Sequence, residues 1–265
     1  MKIFISADIE GITGTTHWDE VTRTHPDYPE FQEQITREVA SACKAALDAG
    51  ATDILVRDAH STARNIRAAD LPEPARLVRG WSRHPYMMMQ ELDSSFDAVL
   101  MIGYHSMAGS TDNPLAHTLY SDRIAEIRIN DRPVSEFGVN ARTASLESVP
   151  VVFISGDKGV CQEAVSLIPG IRTVAVKKGI GSSTINMHPD QACKKIYNGV
   201  KAALSARPFP AGPSLAKKIR LDIRFIDHTI AYRAGYYPGV TSREDGWISF
   251  ETSDYFNVLR LLLFI

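Results

Sequence analysis

Segments rich in β-branched and other apolar residues alternate with longer segments of helical periodicity along most of this chain. Lys2–Ala7 predicts a strand, and Pro29–Ala49, with apolar residues at three-to-four spacing, predicts a helix that ends near Gly50. Further strands are predicted at Asp53–Asp58 and at Ala98–Tyr104, whose uninterrupted apolar run is typical of a strand buried on both faces. This order predicts an α/β fold with a mainly parallel sheet flanked by helices.

The alternation continues to about residue 206. The remaining predicted elements are helices at Pro85–Leu92, Pro133–Glu147, Lys158–Leu167 and Pro189–Ala206, and strands at Ile124–Asn130, Val149–Ser155 and Ile171–Val176. A break rich in proline and glycine follows at residues 207–213, and strands are predicted beyond it at Lys217–Phe225 and Trp247–Glu251. We therefore expect an α/β domain over residues 1–206, which carries the candidate metal ligands, and a smaller C-terminal α+β lobe over residues 207–265, unless the two form one domain.

The C-terminal segment Leu259–Ile265 is apolar on every side except at Arg260. A helix of this kind must be buried. It packs either against the protein's own core or against another subunit, and the sequence does not separate the two.

Composition excludes several classes of protein. The chain has 265 residues, 29 Lys and Arg against 31 Asp and Glu, so it lacks the basic excess of proteins that bind nucleic acid or anionic membranes. Its three cysteines, at positions 43, 161 and 193, are too few and too far apart for a disulfide framework or a cysteine zinc site. No apolar run is long enough for a signal peptide or a membrane span, so we expect a cytoplasmic protein.

Acidic and histidine residues follow three of the predicted strands directly. Asp8 and Glu10 come after the first strand, His60 after the second, and His105 after Ala98–Tyr104. Ligands of open α/β sheets bind beyond the carboxyl ends of the strands, so these side chains should meet in one crevice. Carboxylates and imidazoles that converge in this way are typical of a hydrolytic metal site.

Taken singly, these residues have ordinary structural explanations. A lone histidine at a strand end is more often a hydrogen-bonded polar residue than a ligand, and Glu136 is favoured in the first turn of a helix. Two acids at the mouth of a buried strand are harder to explain, because close like charges repel and a cation relieves the repulsion. His117 follows a loop and is either a surface residue or an acid or base. The other histidines are expected to be structural or exposed: His17, His25, His84, His188 and His228.

Several short motifs resemble the M55 peptidase family of D-aminopeptidases. Ser6–Gly11 matches the S-x-D-x-E-G signature, and it is followed in the family's order by Asp58–Ser61, Gly103–His105, Ala116–Thr118 and Asn130–Gly138. The resemblance implies a zinc-dependent aminopeptidase of α/β fold that hydrolyses the N-terminal residue of short peptides, particularly peptides that contain D-amino acids. It also implies a homo-oligomer, with a decameric ring as one expected form.

Carried over position by position, the resemblance implies two zinc ions per subunit. Their ligands would be Asp8, Glu10, His60, His105 and Glu136, with Asp8 bridging both ions, whereas His117 would serve catalysis. Oxygen and nitrogen ligands also suit manganese and cobalt. The expected reaction is attack by a metal-activated water on the first peptide bond. His117 would then protonate the departing amine or stabilise the oxyanion.

Two other functions are consistent with the same residues. The first is a metal-dependent phosphoesterase, because two-metal sites serve both chemistries. Only Lys177–Ser183 resembles a phosphate-binding stretch, and it lacks the G-x-x-x-x-G-K-[ST] pattern. The second is a non-catalytic, zinc-bearing peptide-binding protein, although structural zinc sites tend to be closed and rich in cysteine.

Overall fold

Two β-sheets form the framework of the protein in a computed structural model that describes residues 1–265. The larger sheet has seven strands in the order Ala75–Val78 (β3), Asp53–Asp58 (β2), Lys2–Ala7 (β1), Ala98–Tyr104 (β4), Val151–Asp157 (β7), Arg172–Ile180 (β8) and Ser183–Asn186 (β9). Neighbouring strands are parallel except for β8 and β9, which form an antiparallel hairpin. The predicted α/β fold with a mainly parallel sheet is therefore confirmed.

Helices cover both faces of this sheet. Tyr28–Asp48 (α1) and Pro189–Ser205 (α4) pack on each other and on one face, where they meet apolar residues of β1, β2 and β4. Glu136–Leu146 (α2) and Lys158–Leu167 (α3) pack with the opposite face. Alternate residues of the central strands thus enter separate cores, which explains why these strands are apolar throughout.

The second sheet is antiparallel and joins distant parts of the chain. Its five strands lie in the order Val240–Ser242 (β11), Trp247–Thr252 (β12), Ile219–Phe225 (β10), Ile124–Ile129 (β5) and Arg132–Pro133 (β6). Because β10 pairs with β5, the segment after residue 206 completes a sheet whose other strands come from residues 124–133. The domain boundary at residue 206 stays a prediction.

Two helices complete the C-terminal segment. His228–Ala234 (α5) and Tyr255–Phe264 (α6) both pack against the second sheet, and α6 also contacts α2. In α6 the side chains of Val258, Leu259, Leu261 and Leu262 are buried in the protein's own core, whereas Phe264 is 71% exposed. None of the helices is both long enough and apolar enough to cross a lipid bilayer.

Several predicted elements differ from the observed ones. The strand predicted at Ile171–Val176 is Arg172–Ile180, and the C-terminal helix begins at Tyr255. The helix predicted at Pro85–Leu92 is wrong: only Met87–Met89 forms a 3-10 turn, because Met87 adopts a left-handed conformation with φ of 46° that an α-helix cannot accommodate. The helix predicted from Pro133 begins at Glu136 instead. Pro133 belongs to β6, and the hydroxyl of Ser135 caps the helix by accepting a hydrogen bond from the Gly138 amide.

The strand order creates a crevice at the carboxyl end of β1. Chain connections run from β1 to β2 on one side and to β4 on the other, which makes this point a topological switch. The two strand ends are tied closely, since the Gly11 amide donates to the Gly103 carbonyl at 2.8 Å. A side chain would not fit at either glycine: a Cβ atom on Gly103 would lie 2.1 Å from the Asp8 carbonyl oxygen, and one on Gly11 1.7 Å from that of Tyr104.

Candidate metal centre

The structure brings all five predicted ligands together at this crevice, and each is at most 7% exposed. Asp8 lies at the centre: its Oδ1 is 3.5 Å from His60 Nδ1 and its Oδ2 is 3.4 Å from His105 Nε2. Glu10 Oε1 lies 3.0 Å from His60 Nδ1, and Glu136 Oε2 lies 3.5 Å from His105 Nε2. Side chains from three strand ends and one helix N-terminus therefore form a single cluster.

The cluster divides into two groups that could each hold a cation. One group contains Asp8, Glu10 and His60, and the other contains His105, His117 and Glu136, with the potential ligand atoms of each group within 4.8 Å of one another. Asp8 faces both groups, as expected of a bridging carboxylate. His117, predicted to be catalytic, lies with its Nε2 3.6 Å from Glu136 Oε1.

Backbone carbonyls fix the orientation of the three histidines. His60 Nε2 lies 2.9 Å from the Val21 carbonyl oxygen, His105 Nδ1 3.0 Å from that of Ser106, and His117 Nδ1 2.9 Å from that of Leu115. Because a carbonyl only accepts, the ring nitrogen that faces it carries the proton. The other nitrogen of each ring therefore presents a lone pair to the cluster, which is the tautomer that a metal ligand requires.

Two polar atoms at the centre have no hydrogen-bond partner in the protein. Glu10 Oε2 and His105 Nε2 are both buried and unpaired. Buried polar atoms are nearly always satisfied, so a pair of orphans inside a ring of carboxylates and imidazoles fits a bound cation. The donors are oxygen and nitrogen without sulfur, a set suited to zinc, manganese or cobalt.

The electrostatics of the cluster also fit a cation. Burial and the neighbouring Glu10 carboxylate raise the pKa of Asp8 to about 8. Burial opposes charge on His105, but Glu136 and Asp8 raise its pKa to about 10. Burial and the adjacent His105 lower the pKa of His117. The crowded carboxylates thus attract positive charge strongly, and divalent ions would compete with protons for the same places.

Glu136 and His117 are positioned by a constrained loop. The Leu119 amide donates to Glu136 Oε1 at 2.7 Å, and Leu119 has a φ of 66°, which is unusual for a bulky residue. The hydrogen bond to the Leu115 carbonyl anchors the ring of His117 in the same loop, and Trp18 meets that ring edge-on at 5.4 Å. Backbone strain of this kind persists where the surroundings hold it, often at functional sites.

A cavity of about 570 Å³ opens above the cluster. Five of the six clustered residues line it: Asp8, Glu10, His60, His117 and Glu136. Its apolar wall is formed by Trp81, Met87, Met88, Leu119 and Leu263, the last from the C-terminal helix, and Arg23 and Arg83 also line it. A cavity of this size accommodates a short peptide-like ligand.

Sequence reasoning missed several residues around the centre. Lys177 is 3% exposed and contacts the backbone of Glu10, yet it follows the predicted strand Ile171–Val176 and precedes a second lysine, so the sequence gave no sign of its burial. Leu263 is far from the other residues in the sequence and gave no signal either. Of the histidines expected to be structural or exposed, His17 caps the 3-10 turn Trp18–Val21, His188 caps helix α4, and His84 is exposed on the cavity wall.

Comparisons with known proteins agree with the geometry. The sequence model of the Peptidase_M55 family, described as D-aminopeptidase, matches residues 1–264. The D-aminopeptidase of Bacillus subtilis (strain 168) is 30% identical over 265 residues, which cover 99% of this chain and 96% of the relative. A solved structure, described as the Zn-dependent D-aminopeptidase DppA from Bacillus subtilis, a self-compartmentalizing protease, superposes with a TM-score of 0.94 at 28% identity and covers 100% of this chain and 96% of its own.

Proposed function

This chain belongs to the M55 family of D-aminopeptidases and is a peptidase, and on that basis we propose that it is a zinc-dependent aminopeptidase acting on short peptides. The observation that carries the proposal is the convergence of Asp8, Glu10, His60, His105 and Glu136 in one buried cluster beneath the cavity. Three carboxylates and two imidazoles far apart in the sequence have no structural reason to share a buried crevice without a cation.

We propose two zinc ions per chain. One would be held by Glu10 and His60, the other by His105 and Glu136, with Asp8 shared between them. The orphaned Glu10 Oε2 and His105 Nε2 atoms support this assignment, because they fall in different groups and each requires a partner. The solved relative is described as Zn-dependent, which favours zinc over manganese or cobalt.

Bound zinc would supply Lewis acidity at the scissile carbonyl and activate the attacking water. The protein's own residues would position the peptide and move the proton. His117 keeps its Nδ1 proton on the Leu115 carbonyl, so its Nε2 faces the cavity with a lone pair. Once Nε2 has taken up a proton, it can donate that proton to the departing amine or to the oxyanion. The free amino terminus of the peptide would bind one of the ions or an acidic group of the cavity that is not a ligand, such as Asp122, and this contact would restrict cleavage to the first residue.

We further propose that the substrates contain D-amino acids and that the enzyme is a homo-oligomer, with a decameric ring as the expected form. Both proposals follow the relatives, of which one is named a D-aminopeptidase and the other is described as self-compartmentalizing. Light scattering coupled to size-exclusion chromatography measures the number of subunits directly. A monomer at micromolar concentration would contradict the oligomer.

The rival phosphoesterase function has little support. Lys177 points into the protein, and the Gly179 amide donates to the Asp112 carbonyl at 2.7 Å. The stretch Lys177–Ser183 therefore forms a β-hairpin rather than a phosphate cradle.

The decisive experiment compares substrates on one zinc-loaded preparation. Matched D- and L-dipeptides and tripeptides of alanine are incubated beside p-nitrophenyl phosphate, with chelator-treated protein as the control. We expect release of the N-terminal residue from the D-peptides, loss of activity on chelation and recovery on adding zinc. Turnover of the phosphate ester alone, or full activity without metal, would overturn the proposal.

A further inference from the structure

The buried lysine of strand β8 lies directly behind the candidate metal centre. The Lys177 ammonium donates to the Glu10 carbonyl oxygen at 2.5 Å, to the Thr15 carbonyl oxygen at 2.6 Å and to the Thr15 hydroxyl at 2.7 Å. All three acceptors belong to the turn that follows β1. One side chain from a distant strand thus closes the turn that carries the Glu10 carboxylate.

The environment of this lysine is unusual because no carboxylate oxygen lies within 4.0 Å of its Nζ, and its three acceptors are neutral oxygens. Burial lowers the pKa of Lys177 to about 8, while Asp157 and Glu10 act in the opposite direction, so the ammonium form predominates at neutral pH. A buried charge without a direct ionic partner costs on the order of several kcal/mol of stability. A purely structural turn could be closed by a neutral donor. A buried lysine at this position therefore indicates that the turn after β1 requires a charged donor.

The Glu10 carbonyl is the point on which these donors converge. Besides Lys177, it accepts from Asn113 Nδ2 at 3.0 Å, and Asn113 in turn bonds Asp157 Oδ2 at 3.0 Å. The amide of Thr13, three residues after Glu10, is held by Glu38 Oε1 at 3.0 Å. With its backbone held in this way, Glu10 places its Oε1 atom 3.0 Å from His60 Nδ1.

We propose that Lys177 is a positioning residue for the metal centre, fixing the backbone of Glu10 so that its carboxylate is held in the ligand geometry. This inference rests on the proposed function, since it assigns Lys177 a role toward the zinc ligand Glu10. Outer residues that orient metal ligands typically change metal affinity or activity by about 10–100-fold when they are replaced. The Lys177 side chain contacts the main chain of Glu10 rather than the Glu10 carboxylate.

The test compares Lys177→Met, which keeps most of the length of the side chain but removes its donors, with Lys178→Met on the adjacent, exposed position of β8. Cobalt replaces zinc in each protein, and the visible absorption spectrum reports the coordination geometry independently of turnover. The kcat and KM for a D-alanyl peptide are measured separately at saturating zinc. Loss of the positive charge would by itself favour cation binding, so a fall in kcat at saturating metal reports geometry rather than weaker attraction.

We expect Lys177→Met to alter the cobalt spectrum and to lower kcat by about 10–100-fold with less than a threefold change in KM, while Lys178→Met matches the wild type. Lys177→Arg, which retains charged donors, should recover part of the lost kcat. The Glu10 carbonyl also accepts from the Thr15 hydroxyl at 3.1 Å and from Asn113 Nδ2. Asn113→Ala removes the second of these donors and should shift the cobalt spectrum in the same direction, so it serves as the test if Lys177→Met does not fold.

A wild-type cobalt spectrum and wild-type kcat in a folded Lys177→Met protein would overturn the inference, even if its melting temperature fell. The same holds for Asn113→Ala where that variant is the test. Failure of the proposed function looks different, because the wild-type protein itself would then bind no zinc or hydrolyse no peptide.

Discussion

The imidazole of His117 stacks on that of His105, with ring centroids 4.3 Å apart and planes inclined by 13°. His105 directs its Nε2 toward Asp8 and Glu136, whereas His117 approaches only Glu136 and is anchored from a loop. The two histidines therefore share a location but differ in their surroundings: one lies inside the carboxylate cluster and the other at its edge, on the cavity. This difference supports separate roles, ligand for His105 and proton donor for His117.

Replacing His117 by alanine should separate these roles. Because the five proposed ligands remain, we expect the variant to keep its zinc and to lose turnover by about 10²–10⁴-fold, the usual contribution of a general acid or base. Metal analysis and steady-state kinetics on the same sample measure both quantities, and His228→Ala, at an exposed position, is the control. A variant that loses zinc and regains its rate when zinc is added would identify His117 as a ligand instead.

Asp8 should matter more for metal content than any other carboxylate, because its two oxygens face His60 and His105 separately. We expect Asp8→Ala to lose both zinc ions on dialysis and Glu136→Ala to lose one of them. Elemental analysis of dialysed protein gives the ratio of metal to chain. Equal zinc content in the two variants would contradict a bridging role for Asp8.

Two glycines with positive φ offer a matched test of the contact between β1 and β4. Gly50 has a φ of 91° with no atom within 4 Å of a built Cβ, so Gly50→Ala should destabilise the fold by only about 1–2 kcal/mol through backbone strain. Gly103 has a φ of 71°, and its Cβ would overlap the Asp8 carbonyl at 2.1 Å. Gly103→Ala should therefore cost more than about 4 kcal/mol and disturb zinc binding as well. Denaturant unfolding and metal analysis measure the two effects, and similar losses in both variants would show that the strand ends can separate.

The sequence predicts the elements of the fold and the site residues whose positions depend on local interactions. The strands at Lys2–Ala7, Asp53–Asp58 and Ala98–Tyr104 are predicted with the observed bounds, because each contains a short run of β-prone apolar residues. The convergence of Asp8, His60 and His105 follows, since the carboxyl ends of neighbouring parallel strands meet at one edge. The fold class and the location of the candidate site can therefore be predicted from the sequence.

The conformation and burial of residues that depend on contacts distant in the sequence cannot be predicted in this way. The segment Pro85–Leu92 has helical spacing, but the left-handed Met87 interrupts it where its methionines form the cavity wall. Lys177 lies just past the predicted strand Ile171–Val176, and only the fold, in which β8 continues to Ile180, reveals that this lysine meets the turn after β1. The second sheet pairs β5 with β10 across about ninety residues of sequence, a pairing that no local pattern specifies.

The buried Glu38 carboxyl predicts a pH dependence of stability that is separate from the metal centre. Burial raises its pKa from 4.5 to about 7, although Gln34 and Thr13 donate hydrogen bonds to it. Below pH 4.5 the folded and unfolded chains both hold the proton. Between pH 4.5 and 7 the unfolded chain releases it first, so the folded state loses about 3 kcal/mol as pH rises, and above pH 7 the loss is complete.

Glu38→Gln removes this titration, so its stability relative to the wild type should increase from pH 5 to pH 8. Glu33→Gln, at an exposed position on the same helix, should show no such trend. Urea unfolding at both pH values measures the difference. An equal difference between Glu38→Gln and the wild type at both pH values would mean that Glu38 is ionised throughout this range.

The C-terminal helix should contribute to substrate preference through one side chain. Leu263 lines the cavity with Met87 and Leu119, so this wall is apolar. The neighbouring Phe264 is 71% exposed and lies outside the cavity. Truncating Leu263 to alanine removes apolar contact worth about 1–3 kcal/mol to a substrate side chain that touches it, or about 10-fold or more in kcat/KM.

We expect Leu263→Ala to lose this factor for D-leucyl peptides but not for D-alanyl peptides, whose side chain is too short to reach the wall. Phe264→Ala should leave both unchanged. Equal losses on the two substrates in Leu263→Ala would indicate that the helix end supports the fold of the site rather than the choice of substrate.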